Sequence, residues 1–167
     1  LGDLPQRRPA QTMTWGSQAA VGAVFEELII MANDRYRRTG HGVIHKIPTE
    51  WIPLRDRTGK IRSAKVSKKA AVDFIGVFEG IPIAFDAKHT NSDRRMAWSR
   101  LEPHQQDFLT AFKHAGGMAF VLIEWKLSKH ILVPIGFWGL EGKSILLPEA
   151  HERWGVKMPD YLADLRV

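Results

Sequence analysis

The residues most able to do chemistry lie in one stretch, Val72 to Thr90, where Asp73, Asp86 and Lys88 are set among Val, Ile and Phe. Two β-prone runs flank Glu79-Gly80, which reads as an antiparallel hairpin with a two-residue loop. That loop pairs Phe78 with Ile81. Counting outward along the ladder then brings Asp73 opposite Asp86, at a non-hydrogen-bonded position where Cα atoms approach to about 4.5 Å. Lys88 points to the same face as Asp86, because strand side chains alternate. Two like charges facing each other cost stability unless something neutralises them. A hard divalent cation does so: Mg²⁺ binds through one or two carboxylates, keeps several waters and takes phosphate oxygens as further ligands. Lys88 beside such an ion would orient or deprotonate a water, or neutralise charge developing on a phosphate. The competing reading is a set of ordinary charges on a solvated sheet face. A second register is also open, in which a three-residue loop with Gly80 as a bulge sets Asp73 opposite Phe85 and parts the carboxylates. Glu is a poor residue for positive φ, so only the shared metal site argues for the even register.

The elements that would position these groups can be read from periodicity. From about Ser17 to Arg38, Val21, Val24, Phe25, Leu28, Ile29, Ala32 and Tyr36 recur on one helical face. Glu26 falls among Phe25, Ile29 and Ile30 on the wheel and is the candidate functional acid of that helix, against the plainer reading of a border residue. Arg35, Arg37 and Arg38 suit the C-terminal dipole, and Gly40 or Gly42 ends the helix. Gly42 to Ile47 has strand character. A second helix is predicted from Glu102-Pro103 to Gly116-Gly117. Gln105 shares its apolar face with Leu101, Phe108, Leu109 and Phe112, and an amide there needs partners, supplied by a polar site or by backbone. Met118 to Trp125 reads as a strand buried on both faces. With the strand 81–88 it makes a right-handed crossover of parallel strands. Ile131 to Ile135 is a further strand, placed toward an edge by Pro134. Residues 89–101 are predicted as a loop at the mouth of the site, and those from Trp138 onward as loops closing on a short helix.

Charge points to the partner. A formal net charge of +6 favours a polyanion, nucleic acid first. Arg55, Arg57, Lys60, Arg62, Lys65, Lys68 and Lys69 crowd one segment with a single acid, Asp56. It reads as a projecting basic hairpin or ordered loop, tipped by Thr58-Gly59-Lys60, that tracks phosphates, or else as a solvated linker. Arg94 and Arg95 add basic charge beside the site. Residues 1–14, with Arg7 and Arg8, are expected to be a flexible arm, and 15–167 one domain with the basic projection at about 53–70. The absence of cysteine excludes disulfides and thiolate metal sites. With no signal-peptide pattern and no long apolar run, a soluble intracellular protein without membrane contact is expected.

A helix bearing Glu, a hairpin carrying Asp and Asp-x-Lys, and a helix led by Gln resemble the PD-(D/E)xK nuclease superfamily. Within it the chain is similar to the RecU family of Holliday-junction resolvases. The match is carried by Phe25-Glu26-Glu27, Asn33-Asp34-Arg35-Tyr36, Val43-Ile44-His45-Lys46-Ile47-Pro48-Thr49, Asp73-Phe74-Ile75-Gly76-Val77, Phe85-Asp86-Ala87-Lys88, His104-Gln105 and Pro159-Asp160-Tyr161. The resemblance implies an α/β restriction-endonuclease-like fold: a mixed central sheet flanked by helices, with a projecting basic stalk. It gives Asp73, Asp86 and Lys88 catalytic roles, makes Glu26 a further acid at the metals and Gln105 an active-site amide, and places a junction-entering stalk at 55–69. It implies a homodimer that makes paired nicks in four-way DNA junctions with Mg²⁺ or Mn²⁺, in the cytoplasm of a bacterial or phage-infected cell. The chain departs from the family in having Asp86 where Glu is expected, a shorter stalk, and Trp15-Gly16 in place of Arg-Gly. The rival readings are a nuclease of the same superfamily acting on linear duplex, and a non-catalytic architectural DNA-binding protein.

Overall fold

The computed structural model describes residues 18–165. The expected arm at 1–14 lies outside them, as does the side chain of Lys68. Helix α1 (Gln18–Arg38) runs to the Arg-rich turn, and Gly40 takes the positive φ of 76° that ends it. Phe25, Ile29, Ala32 and Tyr36 are buried as predicted, but Val24 and Leu28 are exposed. The apolar stripe is broader than the strip of sheet it covers, and Asn33, not Leu28, completes the buried face, with its Oδ1 accepting a 2.6 Å hydrogen bond from the Tyr161 hydroxyl.

The central sheet has six strands in the order β1-β4-β5-β7-β8-β10, formed by Gly42–Lys46, Phe74–Phe78, Ile81–Thr90, Met118–Trp125, Lys129–Pro134 and Gly155–Val156. Only β5 and β7 are parallel, joined through helix α2 (Pro103–His114), as the crossover reading expects; the remaining pairs are antiparallel. Strand β8 is not a bare edge, because the two residues of β10 pair with Ile131 and His130. Gly76 is where β1 comes closest to β4: a Cβ there would sit 2.1 Å from the Val43 carbonyl oxygen.

Two apolar layers sandwich the sheet. On one face Phe25, Ile29 and Tyr36 of α1 cover Phe74, Phe85 and Phe120, whose rings stack from strand to strand with centroids 4.9 and 4.7 Å apart. The other face packs Leu101 and Leu109 against Ala84, Val121 and Ile123. It is extended by a small sheet of β6 (Arg95–Ala97) and β9 (Ser144–Leu146) and by α3 (Leu147–Trp154). Residues 89–101 are therefore not the open loop predicted. Strand β5 runs on to Thr90, and Met96 and Leu101 are buried, because these apolar residues, sparse among the charges, pack beneath β9 and α3.

The basic segment forms its own antiparallel hairpin of β2 (Glu50–Arg55) and β3 (Ile61–Lys68), a two-stranded sheet separate from the central one. It begins a few residues earlier than the boundary at 53 and has Gly59 at its tip with φ of 80°. Among the described residues no helix is long and apolar enough to cross a membrane.

Candidate active site

The hairpin adopts the even register. Phe78 pairs with Ile81 and Phe74 with Phe85, and Glu79 and Gly80 both take positive φ, 48° and 77°. That pattern belongs to the two-residue turn whose twist matches the strands. The strain at Glu79 is offset locally: its N–H donates to the His41 carbonyl at 2.8 Å, and its carboxylate meets His41 Nδ1 at 2.5 Å.

Beyond Phe74, β4 stops while β5 continues, so the sheet has a step. Asp73 sits at that step. Its Oδ2 accepts the Ala87 N–H at 2.9 Å, satisfying a donor that a longer β4 would otherwise have paired. Asp86 is fully buried on β5, on the face opposite the Phe85 ring and toward α2. The Gln105 Nε2 donates to its Oδ1 at 2.5 Å. The Lys88 ammonium lies 2.5 Å from Oδ2 as an ion pair. Asp73, Asp86, Lys88 and Gln105 are thus brought together.

Gln105 owes its aim to the start of α2. It is the third helical residue after the N-cap Glu102, and its Oε1 accepts the Glu102 N–H at 3.0 Å in a capping box. The amide is thereby fixed at both ends. Glu102 in turn receives Lys69 Nζ at 2.7 and 2.9 Å, which ties the base of the basic hairpin to the helix that holds Asp86.

Burial, with the adjacent Asp73 charge second, pushes the Asp86 carboxyl from 3.8 up to about 8, against the opposing pull of Lys88. Without a cation, the Asp86 carboxyl therefore favours its protonated form near neutral pH. Two adjoining carboxylates, one of them buried, suit a hard divalent cation that brings its own waters. The described residues contain no cluster of three or more His, Asp or Glu able to hold a metal.

Glu26 does not join this group. It is on α1, which covers the Phe85 face of the sheet, and its half-exposed carboxylate pairs with Lys46 at the end of β1. The helical wheel placed Glu26 correctly beside the core face, but strand alternation had already sent Asp86 to the opposite side. The predicted DNA-contacting cations are also divided. Arg55 donates to the Gly59 carbonyl, Arg62 pairs with Asp56 and Lys69 with Glu102, whereas Arg57, Lys60 and Lys65 have no side-chain partner among the described residues. Arg94 lies 3.8 Å from Glu149 and Arg95 donates to Ser144 Oγ, so both face α3 and β9.

Sequence reading missed a buried row behind the site. His89, Glu124 and His130 lie abreast on β5, β7 and β8, with His89 Nδ1 2.7 Å from Glu124 Oε2 and His130 Nε2 3.7 Å from Oε1. The signal was available in the alternation, since all three fall on one face once the strands are in register. Arg100 donates to the His89 carbonyl at 3.0 Å, closing the open edge of β5 beyond the step.

A mixed sheet built on an antiparallel hairpin and a parallel crossover, with aspartates and a lysine at the step, has the restriction-endonuclease-like fold. The solved structure of Hjc, a Holliday junction resolvase from Archaeoglobus fulgidus, superposes with a TM-score of 0.52 over 86% of this chain and 96% of its own, at 10% identity. Sequence narrows the class. The family model for Recombination protein U matches residues 20–136. The Holliday junction resolvase RecU of Oenococcus oeni is 32% identical over 139 residues, 80% of this chain and 69% of its own. That of Streptococcus gordonii is 33% identical over 139 residues, 75% of this chain and 69% of its own. The chain belongs to the RecU family.

Proposed function

We propose that this protein is a structure-specific endonuclease that resolves four-way DNA junctions by metal-dependent hydrolysis. The observation that carries the reading is the convergence of Asp73, Asp86, Lys88 and Gln105 at the step in the sheet, in a chain whose relatives are named Holliday junction resolvases. In the reaction a water oxygen attacks phosphorus and one P–O ester bond breaks, leaving a phosphate on one end and a hydroxyl on the other. Asp73 and Asp86 would hold the cation, Mg²⁺ or Mn²⁺. When bound, it supplies positive charge to the phosphodiester and acidifies water. Gln105 keeps the Asp86 carboxylate turned toward the step, and the Ala87 N–H does the same for Asp73. Lys88, its side chain 16% exposed, offers its ammonium to the attacking water and to the charge that grows on phosphate. Glu26 would serve as an additional acid only after releasing Lys46.

The basic hairpin is the element we assign to the junction, with Arg57, Lys60 and Lys65, which lack a side-chain partner among the described residues, placed to meet phosphates. A homodimer, which paired nicks require, is supported by Val24, Leu28 and Met31, spaced to form one stripe along α1 and 54, 40 and 66% exposed. The setting is the cytoplasm of a bacterial or phage-infected cell, where branched DNA arises.

The test compares matched four-way and linear substrates with and without Mg²⁺ or Mn²⁺, for the wild type and Asp73→Asn. The reading requires symmetric nicks in the junction by the wild type, and junction binding without nicking by the variant. Preferential cutting of linear duplex would make the protein a different nuclease of this fold, and binding without metal-dependent cutting would leave an architectural protein.

A further inference from the structure

The acid in the turn of the basic hairpin, Asp56, is the most heavily bonded of the hairpin's described side chains. Asp56 Oδ1 accepts the Thr58 N–H at 2.9 Å, the Thr58 hydroxyl at 2.6 Å and the Lys60 N–H at 3.1 Å, while Oδ2 accepts Arg62 Nε at 2.7 Å. Its backbone closes the same turn: Asp56 N–H donates to the Lys60 carbonyl at 2.9 Å, and Gly59 N–H to the Asp56 carbonyl at 3.0 Å. Arg55 seals the outside by donating to the Gly59 carbonyl at 2.8 Å.

We infer that Asp56 is a positioning residue for DNA binding, presetting the turn from which Arg57, Lys60 and Arg62 reach phosphates. The inference rests on the reading of this hairpin as the junction-contacting element. Simple electrostatics predicts the opposite sign, since an acid among cations repels a polyanion. The geometry overrides it in three ways. The Oδ1 bonds hold the turn between Arg57 and Lys60, neither of which has a side-chain partner among the described residues. The bond to Nε orients the Arg62 guanidinium while leaving both terminal amino groups without a partner among the described residues. These are the groups best suited to a phosphate. Fixing the turn backbone that carries Arg57 and Lys60, together with the Arg62 guanidinium, before the encounter removes an entropy cost that a limp loop would bear on binding. The same bonds, those from Thr58 and Arg62 foremost, hold the Asp56 carboxyl down at about 2, so it is ionised throughout the physiological range.

The experiment measures junction and linear-duplex affinity, with steady-state cleavage, for Asp56→Ala, Asp56→Asn and the double variant Arg57→Ala/Lys60→Ala. Asp56→Ala raises the formal net charge from +6 to +7, yet is expected to weaken junction binding about tenfold. KM should rise with it while kcat at saturation is kept. Asp56→Asn retains an acceptor for Thr58 and Lys60 and should stay within about threefold of wild type. Thermal melting checks that the six-stranded sheet is intact in every variant. Junction binding by Asp56→Ala that equals or exceeds wild type would overturn the inference, and so would equal losses in the Ala and Asn variants. If the double variant binds junctions as well as wild type, the hairpin is not the DNA element and the underlying reading fails first. If it loses affinity while Asp56→Ala does not, only the role of Asp56 is lost.

Discussion

The raised Asp86 carboxyl contributes stability to the metal-free protein that is greatest in acid. A group whose pKa is higher folded than unfolded lends stability that is complete below the unfolded value and is lost as pH climbs through the folded one. For Asp86 the window runs from 3.8 to about 8. At about 1.36 kcal/mol for each pH unit, the ceiling on the loss is about 6 kcal/mol. Reorientation of Lys88 and entry of water on ionisation bring the expected loss nearer 2–3 kcal/mol, in keeping with an effective interior dielectric of about 20. The perturbation is Asp86→Asn, which keeps the shape and removes the titration. Urea unfolding in chelator at intervals from pH 5 to pH 8 should show the two proteins diverging as pH rises, with the variant more stable by ~2–3 kcal/mol at pH 8. Taking the difference between them cancels the titration of groups they share. Adding Mg²⁺ should then close the gap by stabilising only the wild type, by about 2.7 kcal/mol at a hundredfold excess over its Kd. A difference that does not change with pH, or a Mg²⁺ effect as large in the variant as in the wild type, would refute the account of an Asp86 carboxyl that keeps its proton until a cation replaces it.

Three further outcomes follow from the geometry. Gln105→Ala leaves the buried Asp86 Oδ1 without its donor and should slow single-turnover junction cleavage about 10- to 100-fold, the kinetic equivalent of about 1.5–3 kcal/mol, with binding little changed. Replacing Arg57, Lys60 and Lys65 together by Ala should flatten the slope of log binding constant against log salt by up to ~2.7 and erode the preference for junctions over duplex; an unchanged slope would make the hairpin a bystander. Tyr161→Phe strands the buried Asn33 Oδ1 and should cost about 1–3 kcal/mol in denaturant melts, while cleavage at a permissive temperature stays at the wild-type level.

Local pattern determined a good deal of this protein. The helices at 18–38 and 103–114, the hairpin and the doubly buried strand 118–125 were legible because each is a strong periodic signal closed by Gly, Pro or a capping residue. Loop length left the register open between an even and a bulged form, with only the shared metal site favouring the even one that the structure adopts, and Gln105 stood out as an amide on an apolar face. The tertiary structure decided what no single segment carries. It put Glu26 on the helix covering the other face and gave it to Lys46, since a helical wheel shows which side of a helix is buried but not which side of the sheet it covers. It buried Met96 and Leu101 beneath β9 and α3, contacts more than forty residues away in sequence for Met96. It also sorted the cations of the basic hairpin into those held by Asp56, Glu102 and Gly59 and those left free. Composition records only their number. Which positive charges remain available to a phosphate depends on where the chain brings its few acids and carbonyls, and that is fixed only when the segments fold together.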